Sequence, residues 1–158
     1  MSYDALEALT AQPGDQLAPL TVQPTLLQLF RYSAATWNSH KIHYDPAYAA
    51  EEGHPGILVH SHLHAAFLAR ACAQWAGPLG LRALSYRIVH PATPADRLTV
   101  NGTVIERAAG GSAIRLVVDL VERNAHGQTC ATGTATLHVP GATAAGAGLA
   151  GLLSSGTA

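Results

Sequence analysis

Charge is sparse in this sequence. Lysine and arginine number 9 and aspartate and glutamate 10 in 158 residues, for a formal net charge of −1. There is no basic run and no basic stripe interleaved with aromatics, so nothing favours nucleic acid or an anionic membrane as a partner. Cysteine is scarcer still, with two. Cys72 lies in an apolar, helix-like stretch and Cys130 in a strand-like one, which predicts two buried thiols rather than a disulfide. Every long apolar stretch is broken by His, Arg, Gln or Gly, so no membrane span is expected. The start, "MSYDALEALTAQ", has no basic region leading into an apolar run and does not read as a secretory signal. These absences together make the cytoplasm the expected setting. Several chemical signatures are missing as well: no "GxSxG" elbow, no "HExxH", no glycine-rich phosphate loop, and no cysteine in a reactive-looking context.

What is present is apolar. Hydrophobic residues make up 48% of the chain, enough at this length for one globular domain with a sizeable core. "SYDALEALTA" has the apolar spacing of a short helix. "PGDQLAPLTVQP", bounded by prolines, reads as an extended arm or edge strand. Pro24 and Thr25 open a second helix, "PTLLQLFRYSAATW". After a polar loop, "DPAYAAEEG" gives one or two helical turns that end at Gly53. From Ser61 to Trp75 the chain is rich in Ala and Leu and nearly apolar all round, the composition of a helix buried on most sides. Gly77 and Pro78 stop it. Four β-rich segments follow, "LRALSYRIVH", "DRLTVNGTVIER", "SAIRLVVDLVER" and "QTCATGTATLHV", separated by turn signals. So tightly linked, they predict an antiparallel meander. The tail "PGATAAGAGLAGLLSSGTA" is Ala/Gly-rich and expected to be flexible. One buried helix followed by long strands gives an α+β fold, with the sheet wrapped around the helix.

The proton-handling chemistry is concentrated in "WNSHKIHYDPAY", residues 37–48. His40 and His43 are the groups there that titrate near neutrality. On a helix those two would share a face without Asn38; in a turning loop Asn38 and His43 converge on one point. Lys41 and Asp45 would then face solvent or brace the loop. Each residue also has an ordinary structural role open to it, hydrogen-bonded packing for a histidine and turn formation for Asn38. "HSHLH" places His60 and His64 one helical turn apart, a spacing able to ligate zinc. With no carboxylate close by in sequence, no metal site is expected, and His62 and His64 read as packing or lining residues.

In this order (polar loop, "GxxVHxxL" helix start, Ala-rich helix, four strands) the chain resembles the MaoC-like hydratases and dehydratases of the hot-dog fold. Their hallmark is an Asp-x-Asn-Pro-Ile/Leu-His loop followed by a "VHG" helix start. "NSHKIH" lies on that loop, with Asn38 at the aspartate, His40 at the asparagine, Lys41 at the proline and His43 at the catalytic histidine. "GILVHSHL" matches the helix start, with Ser61 where Gly is usual. "HPATPADRLTVNGTV" and "HGQTCATGTATLHVP" continue the likeness, which runs from Asp15 to Pro140. Asn38 and the basic Lys41 make the loop similar to the branch that holds mesaconyl-C4-CoA hydratases and fungal-type 3-hydroxyacyl-thioester dehydratases.

The resemblance implies a single hot-dog domain over 15–140, an N-terminal helix or arm over 1–14 and a tail over 141–158. It implies hydration of a 2-enoyl thioester, or dehydration of the (R)-3-hydroxyacyl form, carried on CoA or acyl carrier protein, without a cofactor. His43 would be the acid/base, Asn38 would hold the water, and the Ser61 backbone N–H would face the thioester oxygen. His40, His60 and His62 would line the substrate site. Arg31 and Lys41 would contact a carboxylate or phosphate, or stay solvated. Several relatives are double hot-dog chains, so this one should pair with itself or with a second hot-dog chain. Three other readings compete: a non-catalytic subunit of a heteromeric hydratase, a hot-dog thioesterase, and a metal-binding module.

Overall fold

Inward-facing residues of the last three strands are apolar at nearly every second position, and that alternation builds the core. In β4 (Ala113–Arg123) Leu116, Val118 and Leu120 are fully buried; in β5 (Thr129–Pro140) Ala131, Ala135, Leu137 and Val139 are buried. Leu98, Val100 and Val104 do the same from β3 (Leu98–Gly110). A computed structural model describes residues 5–110 and 113–140 of the chain; the expected flexible tail over 141–158 lies outside them.

The elements before β3 are α1 (Ala5–Thr10), β1 (Leu20–Val22), α2 (Leu26–Thr36), a 3₁₀ turn (Lys41–His43), α3 (Pro46–Glu51), α4 (Ser61–Ala76) and β2 (Leu81–Ile88). The sheet is five-stranded and antiparallel in the order β1-β3-β4-β5-β2. β3, β4 and β5 form the expected meander, but β2 does not pair with β3. It crosses to the far edge and pairs with β5 from Leu81↔Leu137 to Ile88↔Ala131. The connection, residues 89–97, carries Pro91 and Pro94. Strands lie about 4.8 Å apart, so the crossing spans roughly 14 Å, well within reach of an extended segment that long. Pinning comes from Val89 N–H and His90 N–H, which both donate to the Cys130 carbonyl at 2.8 and 3.2 Å.

α4 packs against the sheet, with Leu63, Phe67, Leu68, Ala71, Cys72 and Trp75 in the core. Its approach to the sheet is close at Gly133, where an added Cβ would sit 3.2 Å from Leu68 Cδ1 and 2.7 Å from the Ser85 carbonyl oxygen. The helix is less enclosed than its composition predicts, because Ser61, His62, Ala66 and Arg70 form an exposed stripe. Alanine tolerates either environment, so an Ala-rich face does not reveal which one it meets. Cys72 and Cys130 are free and buried, as expected. Burial pushes their thiols up to about 12 and about 11, so neither is a nucleophile.

Candidate active site

α2 begins at the Thr25 cap, whose hydroxyl accepts the Gln28 N–H at 3.1 Å. It ends at Trp37, which stands in the left-handed region with φ 56°. Asn38 N–H donates to the Ser33 carbonyl at 3.0 Å, the Schellman bond that turns the chain off a helix end. From there the polar loop is held by its own side chains. The Asn38 Oδ1 accepts the His40 N–H at 3.1 Å, and His40 Nδ1 accepts the Ile42 N–H at 3.4 Å to cap the 3₁₀ turn. Asp45 caps α3 by accepting from Ala47 and Tyr48 at 3.0 and 3.1 Å, and Tyr44 Oη donates to the Ser39 carbonyl at 3.0 Å. Asp45 therefore braces the loop.

This scaffold drives His43 inward until it is 8% exposed. The ring lies 2.9 Å from the Leu58 carbonyl through Nδ1. A carbonyl only accepts, so Nδ1 carries the proton and Nε2 keeps its lone pair. The same two segments are tied at the backbone, with Leu58 N–H donating to the Ile42 carbonyl at 2.9 Å. Burial lowers the His43 pKa below 6.5; the Leu58 hydrogen bond opposes this and His40 adds to it.

His60 stacks on His43 with ring centroids 3.7 Å apart and planes 18° from parallel. Its Nε2 meets Ser33 Oγ at 2.9 Å. The ring is 1% exposed, and its Nδ1 has no partner among the described residues. Burial first, and the neighbouring His43 second, push its pKa down to about 4. His60 is also the residue on which α4 starts, and its carbonyl accepts from Leu63 and His64 at 2.9 and 3.2 Å. The Ser61 and His62 N–H groups have no partner among the described residues, as the first turn of a helix dictates.

A cavity of about 440 Å³ is walled by Asn38, His43, His60, Ser61 and His62, together with Tyr32 and Thr36. A second, of about 230 Å³, shares His43 and Ser61 with the first and is lined by His54, His64, His90 and apolar side chains such as Ile42, Leu58 and Ile88. Five of the residues singled out by sequence thus meet at one place. Three do not. His40 stays exposed with its Nδ1 spent on the cap and lines neither cavity. Lys41 Nζ sits 5.5 Å from the Tyr48 ring centroid, and Arg31 is exposed on α2; neither reaches the cavities. No grouping of three or more potential metal ligands occurs among the described residues.

Two partners were not foreseen: Ser33, bonded to His60, and Glu122, which pairs with His64. The second was readable in principle. Glu122 continues the inward register of Leu116, Val118 and Leu120 on β4, a place where a lone carboxylate needs a partner.

Residues 5–94 match the hydroxyacyl-thioester dehydratase type 2 family. A mesaconyl-C(4)-CoA hydratase from Chloroflexus aurantiacus is 55% identical over 49 residues, which are 30% of this chain and 18% of that protein. The chain therefore spans under a fifth of that relative's length in the match. Among solved structures, the R-hydratase PhaJ1 from Pseudomonas aeruginosa superposes with a TM-score of 0.75 at 23% identity, covering 83% of each chain. The ChsH1–ChsH2 complex from Mycobacterium tuberculosis gives 0.71 at 24% identity, covering 82% of this chain and 98% of that one. The architecture is the hot-dog fold.

Proposed function

Because the chain belongs to the hydroxyacyl-thioester dehydratase type 2 family, within the MaoC-like group, we propose that it is a hydro-lyase interconverting 2-enoyl and (R)-3-hydroxyacyl thioesters. The observation that carries this reading is His43. Its Nδ1–H is held by Leu58, which leaves Nε2 its lone pair, and the residue walls a cavity shared with Asn38 and the start of α4.

In hydration, neutral His43 takes a proton from water as the water oxygen bonds to the β-carbon. The Asn38 Oδ1 already accepts from His40, which leaves its NH₂ group to donate to the water oxygen. An amide orients water but takes no proton from it. The double-bond electrons move onto the thioester oxygen, where the Ser61 N–H, with the His62 N–H beside it, meets the growing negative charge at the positive end of α4. A donor of this kind contributes roughly 3 kcal/mol to the barrier. In the simplest cycle the His43 imidazolium then returns a proton to the α-carbon. Run backwards, it protonates the leaving hydroxyl.

The substrate is a thioester of CoA or acyl carrier protein. The name of the Chloroflexus relative makes a branched acyl group with a free carboxylate the first to try. The working unit is a dimer, with itself or with a second hot-dog chain. A second reading, a non-catalytic subunit of a heteromeric hydratase, draws on Asn38 and Ser61 standing where relatives have Asp and Gly. The test is hydration of crotonyl-CoA and of branched and carboxylate-bearing enoyl-CoAs. Wild type is expected to turn over at least one of them, and His43→Ala to lose 100-fold or more in kcat, the usual size of a general-base effect. An unchanged rate in His43→Ala would refute the mechanism. An inactive wild type that gains activity only with a second chain would favour the subunit reading.

A further inference from the structure

Glu122 is fully buried on β4, and one of its oxygens, Oε2, has no partner among the described residues. The other is engaged by His64 Nδ1. His64 is 1% exposed, one helical turn beyond His60 on α4. It lines the smaller cavity, which His43 and Ser61 also line. With Nδ1 held by the carboxylate, Nε2 is the ring nitrogen left over; it has no hydrogen-bond partner among the described residues. The arrangement is a carboxylate that fixes one face of an imidazole so that the other nitrogen is presented to a cavity, the logic by which a buried acid orients a catalytic base.

Stability gives no reason to keep such a pair. Two apolar side chains of similar volume would fill the site at no loss, whereas a buried carboxylate must be desolvated. Chemistry gives one. The polar loop puts an amide, Asn38, and no carboxylate on the larger cavity, so His43 is the sole titratable group of that loop on either cavity.

Resting on the hydratase reading above, we propose that His64, oriented by Glu122, is a second catalytic proton carrier that divides the two proton transfers with His43. In hydration His43 Nε2 takes one proton from water, the C–O bond forms at the β-carbon, and the π pair moves onto the thioester oxygen. As that enolate collapses, the α-carbon forms its C–H bond with the proton on His64 Nε2. His43 ends protonated and His64 neutral. One proton passed from the first to the second through solvent resets both, and the net change is addition of one water.

The test compares His64→Gln, Glu122→Gln and the double apolar variant His64→Leu/Glu122→Leu with wild type. The readouts are kcat and KM on an enoyl-CoA that wild type hydrates, together with melting temperature. A catalytic pair predicts that kcat falls about 100-fold in His64→Gln and about 10-fold in Glu122→Gln, with KM within about threefold. It also predicts that the double variant melts at or above wild type yet stays as slow as His64→Gln. A double variant with restored melting and wild-type kcat would make the pair structural and overturn the proposal. A double variant that does not fold passes the decision to Glu122→Gln, where a folded protein with unchanged kcat also overturns it. Wild type inactive on every enoyl thioester would instead remove the hydratase reading, and this one with it.

Discussion

Two imidazoles stacked face to face inside a protein cannot both carry a proton cheaply, because burial and mutual repulsion act in the same direction. His60 shows the result, with a pKa near 4, and it leaves His43 facing a neutral ring at working pH. The stability consequence follows from linkage. Above pH 6.5 His60 is neutral whether the chain is folded or not, and its contribution is complete. Between pH 6.5 and about 4 the unfolded chain binds a proton that the folded one refuses, so stability falls as pH falls through that window. Urea unfolding at pH 5 should show roughly 2 kcal/mol less stability than at pH 8 from this residue. His43 adds in the same direction, and His60→Phe should shrink the difference by about that amount. Residues of this site differ in how legible they are in sequence. Asn38 and His43 lie five apart in one loop, so their convergence could be read from the turn. The stack could not be read, because it needs the end of one loop and the start of a distant helix in register. Glu122 was half legible: its inward place follows from the β4 alternation, but its partner, 58 residues away, does not.

Elements were predicted best where the signal is local. Caps and stops placed α2, α3 and α4, since Thr25, Gly53 and Gly77 act within a few residues of where they stand. Pairing order is not local, and β2 is the element that departs from the expected meander, because nothing in "LRALSYRIVH" states which edge it joins. Its position depends on a residue in another strand. Gly133 lets the β2 backbone and α4 both approach β5, at the Ser85 carbonyl and at Leu68. A methyl group there meets backbone that cannot yield without opening the strand pair. Gly133→Ala should therefore cost about 2 kcal/mol, in the range for overpacked cores, measured by urea or thermal unfolding. Gly127, whose added Cβ would meet nothing within 4 Å, is not a substitute control, because its φ of 79° makes any side chain strained.

At the scale of the whole molecule, the candidate site sits where three pieces meet: the polar loop, the start of α4 and the connection that carries β2 across to its edge. Val59 N–H donates to the Ala92 carbonyl at 2.8 Å and clamps the segment before α4 to that connection. On the outer side of α2, Leu26, Leu27, Phe30 and Trp37 are all more than half exposed, more contiguous apolar surface than a solitary small protein usually leaves open. A 16.4 kDa chain acting as a dimer should sediment at twice that mass. A species of single mass that is fully active alone would contradict the proposed pairing. Among the described residues no helix is long and apolar enough to cross a membrane. Trp37, the residue that turns the chain into the site, is 92% exposed, while Trp75 at the far end of α4 is 3% exposed; the chain has just these two. The protein thus carries two fluorophores in opposite surroundings, one wet and beside the cavity, one dry and in the core, so its ultraviolet emission reports events at the mouth and melting of the interior as separate colours without any added label.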